Sequence, residues 1–523
     1  MDENTRVTLA AGTVGSATLL SRVFGYARDM VFAGVFGAGP IADAFIAAFR
    51  IPNLLRRLFG EGSLGISFIP VFTETMQRDG REEAFCLARS AFRLLSVILL
   101  VAAVLGIAAA PLITRMVAYG FTKSPEQLSL TVSLTRIMFP YLFFIGMVAL
   151  SMGVLNALGH FAAPALAPVF LNLAMIGSLL LAVFLTTDPI TRVYALAIGV
   201  LVGGGFQLAL QLPCLAGKGL RLRRKTTFGH AGLKKIGKLF LPVTFGAAVF
   251  QINTLVGNLL ASFLPAGSIS YLYFADRLVQ FPLGIFGIST ATAVLPSLSR
   301  LAAAGDAEAV KQTFGFSMRL VLFICVPAMV GLVVLREPIV ALLFQRGQFG
   351  AEATVLTARA LLYYAFGLWA FASVRIVAAV FYAMQDARTP VKIALVCIVV
   401  NLLLGWLLMK PMQHAGLALA LTLSSALNLI LLLAALRSRL GPLGGRAIAA
   451  SACKTALCSA IMGFAVWGVS GRLLSTQSQP AGLLAGGLAV SIFTGLASYG
   501  LLSHIVNGNE LKSVVKRFRG EPR

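Results

Sequence analysis

The feature that most constrains this chain is a succession of apolar runs, most of them 20 residues or longer, separated by Gly, Pro and charged residues. About 20 residues in a helix span the ~30 Å hydrocarbon core of a bilayer. Backbone groups inside that core must be satisfied within the protein, and runs this long do so as helices rather than as a β-barrel. Fourteen runs can be drawn: 7–36, 41–76, 84–118, 128–157, 161–186, 190–216, 238–264, 268–299, 313–343, 355–385, 391–409, 414–436, 447–471 and 481–506. Composition agrees. With 58% hydrophobic and 12% charged residues and a mean hydropathy of +0.88, the chain is too apolar for a soluble domain, where about a quarter of residues are charged. The net charge of +24 would point to nucleic acid on a soluble protein. In a polytopic membrane protein its placement matters more, and no nucleic-acid partner is expected. Val7–Leu20 is preceded by Asp2 and Glu3 against a single Arg6, the wrong sign for a signal peptide. It is read as a retained first span.

Lys and Arg in the connecting segments orient the spans. With the N-terminus cytoplasmic, inner segments carry 27 of these residues and outer segments seven. Both termini are therefore expected on the cytoplasmic side. Eight inner cations lie in 217–238, as a topology anchor or as a grip on anionic headgroups. Nothing in the sequence separates the two.

That basic segment also divides two similar halves. Ala38–Gly39 recurs as Ala266–Gly267, Arg50 as Arg277, Pro70 as Pro296, Pro164 as Pro390, and Asn172–Leu173 as Asn401–Leu402, all at offsets of 226 to 229. Two six-span copies of equal orientation are related by an axis along the membrane normal, an arrangement used by transporters. The expected fold is an all-α polytopic membrane protein with 14 transmembrane helices. Two parallel six-helix lobes surround a central cavity, and two C-terminal helices are added. The corresponding regions are 1–216, a linker 217–237, 238–440, and 441–523 with its basic tail.

Nine arginines remain inside the spans: Arg22, Arg28, Arg50, Arg56, Arg57, Arg136, Arg277, Arg359 and Arg375. Acids at comparable depth are Asp29, Asp43, Glu61 and Asp276. A charge placed mid-span costs about 2.5–3.5 kcal/mol on insertion scales, so an excess of cations requires a reason. Snorkelling accounts for Arg136 and Arg359 near their helix ends and fits Arg22 and Arg57 poorly. Ser21, Gly25 and Arg28 share one helical stripe, with Arg22, Tyr26 and Asp29 beside it. Asp43, Arg50, Arg57 and Glu61 fall near one face of the second span, which Pro52 is expected to kink. An arginine excess over a wet cavity calls for an anion, and the planar guanidinium matches phosphate oxygens in pairs. Pro52 and Gly60–Glu61–Gly62 could free backbone N–H groups for the same anion.

Other chemistries find no footing. The sequence has no phosphate-binding G-x-x-x-x-G-K-[ST] loop, and its four histidines are scattered. The six cysteines form no CxxC pair. Neither a cofactor nor a metal site is expected, and no enzymatic constellation presents itself.

Three stretches carry a family resemblance: Ser21-Arg22-Val23-Phe24-Gly25-Tyr26-Ala27-Arg28-Asp29, Ala42-Asp43-Ala44-Phe45, and Pro52-Asn53-Leu54-Leu55-Arg56-Arg57-Leu58-Phe59-Gly60-Glu61-Gly62. With Ser270, Ala275-Asp276-Arg277-Leu278, Thr389-Pro390-Val391-Lys392 and His414-Ala415-Gly416-Leu417, the chain resembles the MurJ (MviN) lipid II flippases of the MOP transporter superfamily. The resemblance implies transfer of an undecaprenyl-diphosphate-linked disaccharide-pentapeptide, lipid II, from the cytoplasmic to the periplasmic leaflet of a bacterial inner membrane. It implies Arg22, Arg28, Arg56 and Arg277 as cavity cations, with Asp29, Asp43, Asn53, Glu61 and Ser270 as neighbours. The last two spans would form a groove for the lipid tail, and cell-wall synthesis machinery would be a partner to look for. Arg57 and Asp276 join the site from the interior-charge reading. The competing readings are a flippase for another polyprenyl-diphosphate oligosaccharide and a membrane enzyme acting on polyprenyl phosphates. A cation-driven drug antiporter fits a positive cavity poorly. No Asp or Glu occurs from 189 to 275 or from 387 to 509. A carboxylate sodium site there is not expected, since hard cations prefer charged oxygens, and membrane potential is the expected driving force.

Overall fold

The structure, a computed structural model, describes residues 3–58, 64–222, 229–474 and 480–506. Helices account for nearly all of them, with no strand. The first of two compact units runs through Ile269. It contains α1 (Glu3–Phe36), α2 (Pro40–Leu58), α3 (Leu64–Arg78), α4 (Arg81–Ala108), α5 (Ala110–Val117), α6 (Pro125–Met138), α7 (Tyr141–Ala157), α8 (Ala162–Leu185), α9 (Pro189–Gly217) and α10 (Ala231–Ala261). The second unit begins at Ser270. Its helices are α11 (Ser268–Pro282), which starts two residues earlier, α12 (Ser289–Ala303), α13 (Ala307–Val334), α14 (Arg336–Phe344), α15 (Ala351–Phe366), α16 (Leu368–Ala383), α17 (Arg388–Met412), α18 (His414–Leu440), α19 (Gly445–Leu473) and α20 (Ala481–Val506).

By length and hydropathy, ten spans among the described residues can cross a bilayer, or eleven if α15 and α16 form one bent span. These match eleven of the fourteen expected runs. The other three (7–36, 41–76 and 238–264) are helical as α1, α2 with α3, and α10; part of 41–76 lies outside the described residues, as do some side chains of the other two. Several runs that hydropathy reads as continuous are broken. The run 84–118 divides at Ala109 into α4 and α5, and 313–343 divides into α13 and α14. Between α11 and α12 the helix widens into a π-helical turn, Leu283–Ile288. Pro52 lies inside α2 and does not end it.

Aspartates start α9, α13 and α17. Asp188 accepts hydrogen bonds from the N–H groups of Ile190 (3.2 Å) and Thr191 (2.8 Å), ahead of Pro189 in the first turn of α9. Asp306 accepts from Ala309 N–H at 2.9 Å to open α13. Asp386 accepts from the N–H groups of Arg388 and Thr389 at the start of α17.

In the first unit α8 packs on α9 and α1 on α8, while α7 lies against α9. Small residues set these approaches: a Cβ on Gly199 would meet Ser178 Oγ at 2.0 Å. A core of Phe68, Phe72, Phe85, Leu87, Leu99, Leu150 and Val154 joins α3, α4 and α7. In the second unit α17 pairs with α18 and α13 with α19. Tyr499 on α20 donates to the carbonyl of Phe323 on α13 at 2.7 Å. Gly367 stands at the 41° bend between α15 and α16. A Cβ there would meet the Phe371 ring and Thr422 Oγ1 at 2.6 Å, and Thr422 donates to Tyr363 O at 2.7 Å beside the bend. Large apolar side chains, among them Phe184, Phe464, Trp467 and Phe493, point outward, as helices surrounded by hydrocarbon allow.

Candidate functional site: a buried arginine network

In α1 the Arg28 side chain folds back on its neighbour. Its Nε and Nη2 donate to one carboxylate oxygen of Asp29, at 3.0 and 2.7 Å. Its Nη1 donates to Asn172 Oδ1 of α8 at 3.1 Å. The Asn172 amide in turn donates to the carbonyl of Ser21 at 3.2 Å. Arg28 and Asp29 are 8% and 3% exposed. Each guanidinium nitrogen is thus held, and the charge is balanced locally. Such a network is stable when its polar groups are all satisfied. The sequence shows an excess of cations inside the spans; the fold pairs Arg28 with Asp29. Arg22, a turn and a half earlier, is half-buried and has no ion-pair partner among the described residues.

In α2, Arg56 Nε donates to Asn53 Oδ1 at 3.1 Å, one helical turn away. Asp43 is 1% exposed and accepts the Gly267 backbone N–H at 2.7 Å. Gly267 has φ +94°, a conformation that favours glycine. The side chain of Arg57 and all of Glu61 lie outside the described residues, as does the Gly60–Gly62 segment. A second polar seam runs nearby: Tyr141 OH lies 3.3 Å from Gln207 Oε1, and Gln207 donates to Ala167 O at 3.0 Å.

In the second unit, α11 carries the remaining expected residues. Arg277 lies over the Tyr273 ring, 5.1 Å from its centroid, and donates to the Tyr273 hydroxyl at 3.0 Å. This combines cation–π and hydrogen-bond contact. Asp276 accepts from Gln280 at 3.3 Å and forms no ion pair with Arg277 among the described residues. Ser270 is fully buried. Arg136, Arg359 and Arg375 are exposed on their helices, the first two as snorkelling side chains require.

The structure therefore assembles Arg28, Asp29 and Asn172 in one network, Arg56 with Asn53 in a second, and Arg277 with Tyr273 in a third. Asn172 and Tyr273 were not singled out as site residues from sequence. A polar amide inside an apolar run is the signal that could have found Asn172; Tyr273 lies four residues before Arg277, on the same helical face.

Long apolar helices with arginines set inside them, Arg28 fully packed away, define a polytopic membrane protein. The fold is similar to that of a MATE multidrug transporter of the MOP superfamily in its inward-facing conformation, with a TM-score of 0.66 and 15% identity over 83% of this chain and 99% of that one. It is closer to a lipid II flippase MurJ in an inward closed conformation, with a TM-score of 0.79 and 27% identity over 94% and 98% of the two chains. Residues 32–482 match the family described as lipid II flippase MurJ. The probable lipid II flippase MurJ of Vibrio cholerae is 39% identical over 81% of this chain and 82% of its own length. That of Rhizobium tropici is 34% identical over 98% and 97%. The chain belongs to the MurJ family of lipid II flippases.

Proposed function

We propose that this protein carries lipid II across a bacterial inner membrane, from the cytoplasmic to the periplasmic leaflet, by alternating access driven by membrane potential. The observation that supports this reading is the set of arginines inside α1, α2 and α11, with Arg28 prepositioned by Asp29 and Asn172. Arg22, Arg28, Arg56, Arg57 and Arg277 serve the diphosphate, as charge-assisted donors with paired geometry. Asp29, Asp43, Asn53, Glu61, Ser270 and Asp276 orient those cations or the backbone around them. The proposed frame has fourteen spans and both termini cytoplasmic. Lobes 1–216 and 238–440 enclose a cavity and are joined by the linker 217–237, and 441–523 supplies the groove for the lipid tail. Lipid II itself is the only partner the mechanism requires; cell-wall synthesis enzymes would supply and consume it.

The test is a reconstituted vesicle assay with fluorescent lipid II. Protein-dependent movement of intact label between leaflets is the expected result. Label that stays in place, or is cleaved, rejects the proposal.

A further inference from the structure

Arg89 falls outside the site described above. It sits on α4, within the run 84–118 and near the end that the Lys and Arg distribution puts on the cytoplasmic side, yet it is only 7% exposed. Its Nε is enclosed without a hydrogen-bond partner. No ion pair or hydrogen bond reaches its guanidinium among the described residues. Leu99 packs on Gly146 and Phe139 on Gly106, so α4 runs antiparallel to α7.

Two acids close by in sequence are engaged elsewhere. Glu74 holds Lys235 at 2.6 Å, and Glu83 holds His230 at 3.0 Å. Further cations crowd the same end of the unit. Arg81 donates to Lys218 O at 2.6 Å and stacks 5.2 Å from the centre of the Phe85 ring, and Arg93 follows Arg89 by one turn. A buried lysine could shed its proton here, but a guanidinium stays charged at any pH a protein survives. An unpaired buried charge is among the costliest arrangements a fold can contain. No described residue supplies the counter-charge, and an anion from outside the chain can.

We propose that Arg89 anchors a second anion site, at the cytoplasmic end of α4, that takes a phosphate group. The enclosed Nε leaves the terminal nitrogens as the edge that meets the ligand, and two such donors match two phosphate oxygens. The phosphate belongs either to an inner-leaflet phospholipid headgroup or to a free phosphate, and the site is separate from the arginines assigned to lipid II.

The experiment is thermal unfolding of the purified full-length protein in neutral detergent. It is run with added phosphatidylglycerol, phosphatidylcholine, inorganic phosphate, or chloride at matched ionic strength. Wild type, Arg89→Met, Arg89→Lys and the exposed control Arg437→Met are compared. The expected result is a rise in melting temperature with phosphatidylglycerol or inorganic phosphate that Arg437→Met keeps, Arg89→Lys keeps in part and Arg89→Met loses. Native mass spectrometry of Arg89→Met should show at least a tenfold weaker apparent affinity for the same anion. A rise confined to phosphatidylglycerol identifies a headgroup, and one shared with inorganic phosphate identifies a free anion. If Arg89→Met and Arg89→Lys both retain the full wild-type rise, or if no anion raises the wild type above its neutral control, the proposal is overturned and Arg89 is satisfied by water alone.

Discussion

Arg28 Nη1 reaches Asn172 Oδ1 at 3.1 Å across 144 positions of sequence, fastening α1 to α8. The same amide donates to Ser21 O, so Asn172 fixes both the backbone of α1 and the direction in which Arg28 points. Removing either partner leaves the other buried. Asn172→Ala should cost about 1–3 kcal/mol of stability through unsatisfied groups and slow lipid II transport without abolishing it. Unfolding curves and the vesicle assay check both effects.

Arg28 itself should be more sensitive. Lysine keeps the charge but lacks the planar fork that serves Asp29 and Asn172 together. Arg28→Lys is expected to impair complementation of a flippase-depleted strain, and Arg28→Ala to abolish it. Because Asp29 is buried beside it, Arg28→Ala should also lose roughly 3–5 kcal/mol, the cost of stranding a buried ion. The neutral pair Arg28→Gln with Asp29→Asn should recover much of that stability while remaining inactive. Full activity in the pair would remove Arg28 from the substrate site.

The helical spans were legible because lipid dictates both their length and their apolar content. Their interruptions were less so: hydropathy averages over the bend at Gly367 and the break at Ala109, where packing against Thr422, Phe371 and neighbouring helices decides the backbone. Arg28 and Asp29 stood out because charges are rare inside spans. Their partner Asn172 did not, since an amide in a helix reads as ordinary polar glue until tertiary contact gives it a direction. Arg89 was not among the nine arginines counted inside the spans, although it lies in the run 84–118, because no periodicity in the sequence marks where a helix meets the membrane edge.

Asp43 presents a backbone contact that can be tested by chemistry alone. Its carboxylate accepts Gly267 N–H at 2.7 Å in a buried setting. Asp43→Ala should lower stability by about 1.5–3 kcal/mol, the range for a hydrogen bond to a charged group. Asp43→Asn, which keeps an acceptor oxygen, should lose less. Thermal melts of both variants decide the order.

Gly120 offers a steric counterpart. Its N–H donates to Ser262 Oγ at 2.9 Å, and an added Cβ would fall 2.1 Å from the Ser262 carbonyl oxygen. Backbone cannot swing aside as a side-chain tip can. Gly120→Ala should therefore destabilise the first unit by about 1–3 kcal/mol, whereas Gly177→Ala, with open space around it, should be close to neutral. Equal melting of the two variants would contradict this contact.

Two helix caps set an acid limit. The Thr191 hydroxyl and then its N–H hold the Asp188 carboxyl below its ordinary 3.8. The Thr389 side chain, its N–H and Arg439 do the same for Asp386. A carboxyl lowered on folding contributes stability that is complete above its ordinary value and lost as pH falls through the lowered one. Wild type should thus lose melting temperature below pH 3.8 more steeply than an Asp188→Asn, Asp386→Asn double variant. Parallel curves would exclude the caps as a source of acid sensitivity.

The absence of Asp and Glu between 189 and 275 and between 387 and 509 bears on energy coupling. Transport in vesicles should follow an imposed membrane potential and persist when sodium is replaced by a large organic cation. Transport that survives collapse of the potential but stops without sodium would reverse that assignment.

The wide turn at Leu283–Ile288 changes how α11 and α12 must be counted. One additional residue in a turn advances everything after it by about 100° relative to a regular helix. Ser289–Ala303 consequently presents different residues to its surroundings than a helical wheel begun at Ser268 would assign. Deleting a single residue within that turn would restore an even thread and leave α12, including Pro296, in its present phase with Arg277, whereas the same deletion in the regular part of α11 would rotate everything after it by about 100°. The wide turn is therefore the one place in this span where chain length can change by a residue without turning the fifteen residues of α12 away from their neighbours.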